Sequence, residues 1–184
     1  IMKQQCTERG RIVLNEGMDI HGGAGICVGY NNFLEKYYKS APIGITVEGS
    51  NTLTRSLIIF GQGLNKSHPH IFPMIDSILN DNYKDFVSNF NNLLKMSIGL
   101  YFRTLTYNKS LEQQIIDYAA LTNFVALKGG KLKNEQMLSG NMADIFGNIY
   151  LTISVKYYHK HYNISSTLTD YIIKRIVYEN QQII

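Results

Sequence analysis

Ile45-Thr46-Val47-Glu48-Gly49-Ser50-Asn51-Thr52-Leu53-Thr54-Arg55 reads as a short extended run that delivers one carboxylate, turns at glycine and opens a helix with small polar residues. Ile43-Gly44-Ile45-Thr46-Val47 is rich in β-branched residues, so 43–47 is expected to be extended. Gly49 allows backbone or ligand to approach closely, and Ser50 or Asn51 suits the cap of the helix that follows. The arrangement fits a positioned general base at Glu48, with helix N–H groups beside it. Taken alone the signal is weak, and an ordinary turn acid before a helix is the commoner origin of such a stretch.

Upstream, a helix is expected over 2–17, with Ile12, Val13 and Met18 on one side and Arg9, Arg11 and Glu16 on the other. Asp19-Ile20-His21-Gly22-Gly23-Ala24-Gly25 is expected to break it, because closely spaced glycines raise the cost of helix. Asn31 or Asn32 fits the cap of a short helix through Phe33, Leu34 and Tyr37, which Pro42 should end. Downstream, the helix from Ser50 or Asn51 carries Leu53, Leu57, Ile58 and Phe60 and should stop at Gly61-Gln62-Gly63. Residues 61–69 gather glycine, asparagine, lysine and proline and form the best internal boundary. Helices are then expected over 71–79, 83–105, 111–127, 135–159 and 167–179. Their apolar stripes include Phe86, Phe90, Leu93 and Leu94, and later Met142, Ile145, Phe146, Ile149, Tyr150 and Ile153. The architecture is all-α.

Bulk properties narrow the function. The 184 residues are 45% hydrophobic and 17% charged with a net charge of +4, enough for one good core or two small ones. Lys and Arg are scattered, and no basic stripe interleaved with aromatics points to nucleic acid. Cys6 and Cys27 stand apart and are expected to be small buried thiols in a reducing compartment. No signal peptide pattern is present, and apolar runs such as 57–60 are far below the ~18 residues of a membrane span. A cytoplasmic chain is expected, with peripheral contact at the inner membrane left open. His21 reads as a hydrogen-bonded loop residue. His68 and His70 lack a third ligand at sensible spacing, so no metal is expected. Lys128, Lys131 and Lys133 read as a solvated loop, with a CoA phosphate or partner contact as the alternative.

Two segments taken together carry a resemblance. Asp19-Ile20-His21-Gly22-Gly23-Ala24-Gly25-Ile26 followed by Thr46-Val47-Glu48-Gly49 resembles the C-terminal catalytic region of the acyl-CoA dehydrogenases, with their Q-I-x-G-G-x-G and Y-E-G-T-x-x-I-Q-R. The wording looks like the large bacterial branch of fatty-acid β-oxidation, and 119–130, 131–133 and 144–150 read like that branch's extra helical domain. The resemblance implies that 1–62 end the catalytic helical domain and that 63–184 form the bacterial-type C-terminal extension. It further implies an FAD-dependent oxidoreductase acting on CH–CH bonds, which takes saturated acyl-CoA to trans-2-enoyl-CoA and passes electrons to an electron-transferring flavoprotein. The complete enzyme would be a homo-oligomer.

By the same resemblance Glu48 is the base, and its backbone N–H helps to hold the thioester oxygen. Asp19, Gly22 and Gly23 lie by the FAD of a neighbouring subunit, and Ser50 and Thr52 lie near FAD. Asp19 stands where many relatives have Gln, so it would repel a diphosphate unless a cation or water intervened; capping the glycine turn is its other reading. Ser50 and Thr52 serve equally as helix caps. The family's N-terminal helical and middle β-domains have no counterpart in these residues, so the isolated chain is expected to be inactive. The alternative is a non-catalytic helical assembly module or a truncated gene remnant.

Overall fold

The computed structural model describes residues 1–105 and 110–183. It is all-α: no strand occurs among the described residues, and none of their helices is long and apolar enough to cross a membrane. Two compact units meet between Arg55 and Ser56, earlier than the glycine-rich boundary expected from composition.

The first unit is a helical hairpin. α1 (Met2–His21) and α3 (Glu35–Thr46) pack antiparallel: a Cβ on Gly44 would lie 3.2 Å from Thr7 Cγ2, and one on Gly17 would lie 3.5 Å from Leu34 Cδ1. α1 does not break at Asp19. Asp19, Ile20 and His21 all tolerate helical geometry, and the chain turns only at Gly22, whose φ of 53° is cheap for glycine. α2 (Gly23–Ile26) is a single turn, so the glycines bend the chain without unwinding it. Asn32 then caps α3, accepting from the N–H groups of Leu34 (3.0 Å) and Glu35 (3.1 Å).

Pro42 does not end α3. It sits on an exposed stretch with Tyr38 and Lys39, where water can serve the carbonyl that a proline leaves unpaired. The run 43–47 is therefore helical except at Val47, and extended backbone is confined to that residue. Ser50 caps α4 (Asn51–Leu53), accepting from Leu53 N–H at 3.2 Å. The chain continues as a π-helix, Thr54–Gln62, and then as α5 (Gly63–Ser67). The expected stop at Gly61–Gly63 is absent, and extended backbone returns only at His68.

The second unit holds the apolar core. α6 (Ile71–Leu79) packs on α7 (Tyr83–Thr104), α7 on α8 (Leu111–Ala126), α8 on α9 (Gln136–His161) and α9 on α10 (Ser166–Ile183). Asn82 and Ser110 cap α7 and α8 through their side chains. A 3-10 turn, Gly129–Lys133, joins α8 to α9. α9 is the central helix: Met142, Ala143, Ile145 and Ile149 are buried together with Ser139, Asn148 and Thr152. The stripe expected on α9 is split, since Phe146, Tyr150 and Ile153 are exposed and Phe146 instead stacks on Tyr118 with centroids 5.7 Å apart. On α7, Phe90 and Leu94 are likewise exposed. Cys6 and Cys27 are both exposed free thiols, contrary to the buried positions expected for such small side chains.

Candidate functional site

The Glu48 turn is fixed by one short polar network. Lys3 Nζ donates to Gly49 O (2.7 Å) and Asn51 Oδ1 (2.8 Å). Asn51 Nδ2 donates to Thr7 Oγ1 (2.8 Å) and Glu8 Oε1 (2.8 Å), and Thr7 Oγ1 donates to Lys3 O (2.7 Å). Asn51 is buried, and each of its amide groups has a partner. The turn between α3 and α4 is thus tied to the first turns of α1.

Glu48 itself adopts φ 55°, a left-handed conformation uncommon for a residue with a Cβ, and Gly49 follows at φ 92°. The Glu48 side chain is exposed and has no hydrogen bond or ion pair among the described residues. The network fixes the backbone of the turn, and the Glu48 side chain extends from it without a partner among the described residues.

Gly22 and Gly23 are exposed, and a Cβ on either would meet nothing within 4 Å, so the backbone there is open to a ligand. Gly25 is different. It is buried, and a Cβ would come within 3.3 Å of His21 Cβ and Met18 O, so it is a packing glycine. Asn32 Nδ2 donates to Gly25 O (2.6 Å) and Cys27 O (3.0 Å), which fastens the loop to the start of α3. Asp19 is exposed in the last turn of α1, and its backbone carbonyl, not its carboxylate, closes the turn by accepting from Gly22 N–H at 3.2 Å. His21 packs edge-on against Phe33, with centroids 4.9 Å apart. Ser50 Oγ accepts a cap hydrogen bond and keeps its own proton to donate, and Thr52 is exposed one turn-position later.

The structure does not gather these residues into one place. Glu48, Ser50 and Thr52 lie by the N-terminal end of α1, and Gly22 and Gly23 follow its C-terminal end. At about 1.5 Å per residue, Lys3 and Gly22 are roughly 28 Å apart along the helix. Sequence reasoning found the acid and the glycines but missed Lys3 and took Asn51 only as a cap candidate, since a clamp between positions so far apart in sequence leaves no local pattern. Elsewhere, His68 is a helix cap: its Nδ1 accepts from the N–H groups of His70 and Ile71 (both 3.2 Å) and its Nε2 meets Asn123 Oδ1 at 2.9 Å. No cluster of three His, Cys, Asp or Glu is arranged to hold a metal among the described residues.

No family model matches the chain, and no solved structure matches it significantly.

Proposed function

We propose that this chain is the C-terminal portion of an FAD-dependent acyl-CoA dehydrogenase of fatty-acid β-oxidation, with Glu48 as the base that takes the α-proton of the acyl thioester. The observation that supports the reading is the clamped turn. A general base must be held at one point with a free carboxylate, and Glu48 is held through Gly49 and Asn51 while its side chain stays unpaired among the described residues. Proton removal next to a thioester also needs donors for the oxygen that gains charge, a role the Glu48 backbone N–H would fill.

FAD, when bound, accepts the hydride. The open backbone at Gly22 and Gly23, the spare proton of Ser50 and the exposed Thr52 suit contact with it. Asp19 requires a bridging cation or water beside a diphosphate. Because Glu48 and the glycine turn lie at opposite ends of α1, the two motifs serve separate flavins in an oligomer. The reading places the protein in the cytoplasm, with electron-transferring flavoprotein as its electron partner.

The test is expression of the open reading frame that contains these residues together with its upstream codons. Bound flavin, turnover of palmitoyl-CoA with a dye acceptor, and a roughly 100- to 10,000-fold loss in Glu48→Gln with flavin retained are expected. Full activity in Glu48→Gln, or a product that binds no flavin, overturns the assignment. The 184-residue chain alone should show no turnover.

A second reading, a non-catalytic helical assembly module, draws on one observation. No apolar side chain of the first unit is buried, while Ile12, Val13, Ile20, Ile26 and Val28 are largely exposed. A monodisperse monomer at all concentrations would count against it.

A further inference from the structure

A pocket lies wholly within the second unit. Its volume of about 510 Å³ is of the size that holds small molecules, roughly 300–1,000 Å³. One wall is the π-helix, which contributes Leu57, Gly61 and Gln62; α5, α6, the 3-10 turn and the first turn of α9 complete it. Regular α-helix would not bring positions 57, 61 and 62 to a wall in this way, whereas i→i+5 bonding puts residues four and five apart on one side. Such π segments are frequent at functional sites. Most of the remaining side chains are aliphatic, among them Leu64, Ile71, Ile75 and Leu132, and Asn65 adds a polar one.

One polar group in that lining is unexplained. Ser139 is 1% exposed, lines the pocket, and its hydroxyl has no hydrogen-bond partner among the described residues. It lies beside Gly61, where a Cβ would stand 4.0 Å from Oγ, so no side chain at 61 comes between the buried hydroxyl and that wall of the pocket. A buried hydroxyl without a partner costs free energy, about 1–3 kcal/mol in general, and a ligand oxygen would remove that cost. Charge at the pocket has one sign. Lys133 is exposed on the lining and has no carboxylate partner among the described residues, while Lys128, nearby in sequence, is already paired with Glu135 at 2.7 Å.

From these three features we infer that the pocket binds a single-tailed aliphatic anion, its tail on the leucine and isoleucine side chains and its head-group oxygen accepting from Ser139, with Lys133 supplying the counter-charge. A hydrocarbon alone would leave the hydroxyl unpaired. A polar metabolite would waste the aliphatic walls. The head group is a carboxylate or a phosphate, and Glu48 takes no part in the inference.

Calorimetric titration of the 184-residue chain with decanoate, decyl phosphate and decanol, all below micelle formation, tests it. Saturable one-to-one binding is expected for at least one anion, and the tighter of the two identifies the head group. Decanol should bind at least tenfold more weakly. Ser139→Ala should weaken the anion about tenfold, yet leave the thermal midpoint of the free protein unchanged or raised, because it removes an unpaired buried hydroxyl. A merely structural serine would show the opposite, a lowered midpoint and unchanged affinity, and that overturns the proposal. Lys133→Gln should weaken both anions and leave decanol unaffected. Gly61→Leu, checked for helical content by circular dichroism, should abolish binding. No saturable anion binding, decanol as tight as the anions, or full affinity in a folded Gly61→Leu variant each overturns it.

Discussion

Glu48 shows how a single residue can carry strain for position. A left-handed backbone costs a residue with a Cβ about 1–2 kcal/mol, and Glu48 is kept there by its neighbours. Glu48→Gly should therefore raise the stability of the first unit by up to about 1 kcal/mol, read as a higher urea midpoint. A fall in midpoint would show that the Glu48 side chain contributes to packing. The clamp can be tested from the other side. Asn51→Ala removes the hydrogen bonds that join Lys3, Thr7 and Glu8 to the turn, so a loss of about 1–3 kcal/mol is expected, together with faster amide exchange over 1–9 and 47–53. Unchanged exchange there would show that the turn holds without it. The cap at Ser50 was legible in the sequence because capping is a local pattern. The backbone of Glu48 was not, because nothing about a glutamate signals positive φ.

At the scale of elements, the apolar periodicity of the second unit fixed α6 to α10 closely, since Asn82 and Ser110 mark two of the starts and the helices are long. The misreadings fell on Pro42 and on Gly61 and Gly63. Each breaks an isolated helix but is tolerated here, Pro42 at the surface and Gly61 against Ser139. The π-helix was invisible, because its composition is that of any amphipathic helix.

The start of α6 carries a pH dependence. Burial holds His68 below its ordinary value of 6.5, with the hydrogen bond to Asn123 opposing and the nearby His70 assisting. Two N–H groups point at Nδ1, so the neutral ring is the one that caps. As pH falls through 6.5, the unfolded His68 gains a proton that the folded one resists. Stability is therefore full above that value and declines below it until the folded ring protonates. The stability gap between wild type and His68→Gln should narrow as pH falls from about 7 to 5; a constant gap would refute the cap's role.

Three helices also share a buried amide chain. Asn148 Nδ2 donates to Asn180 Oδ1 (2.9 Å), and Asn180 Nδ2 donates to Gln114 Oε1 (3.2 Å). Either Asn148→Leu or Asn180→Leu should cost about 1–3 kcal/mol by stranding its partner. The double variant should cost less than the sum, as a thermodynamic cycle on urea midpoints would show.

At the scale of the whole molecule, the two units differ in how they are stabilised. The second buries Phe60, Val125, Met142 and Ile145. The first buries only Gln4, Gln5, Gly25 and Asn51, and hydrogen bonds tie α1 to the turn that follows α3. Its exposed Ile12, Val13, Ile20, Ile26 and Val28 are more apolar surface than a self-sufficient hairpin needs. Sedimentation should show concentration-dependent association of the 184-residue chain, reduced when Val13 and Ile20 are replaced by Ser; a monomer throughout the micromolar range would contradict this. Nothing in local periodicity distinguishes a face that meets its own chain from one that meets another, which is why the sequence did not separate the two units by their packing.

The π-helix makes the aliphatic pocket sensitive to editing of a particular kind. Within 57–62 the chain counts in a wider turn than the α-helices around it, so the segment is out of phase with its neighbours. Losing one residue there would still leave a good helix, now in the ordinary phase, and would turn α5 by about 100° relative to Leu57. Even with Leu57, Gly61 and Gln62 all kept, the wall would be gone. A substitution such as Gly61→Leu fills the pocket and leaves its wall standing; a single-codon deletion removes the wall itself.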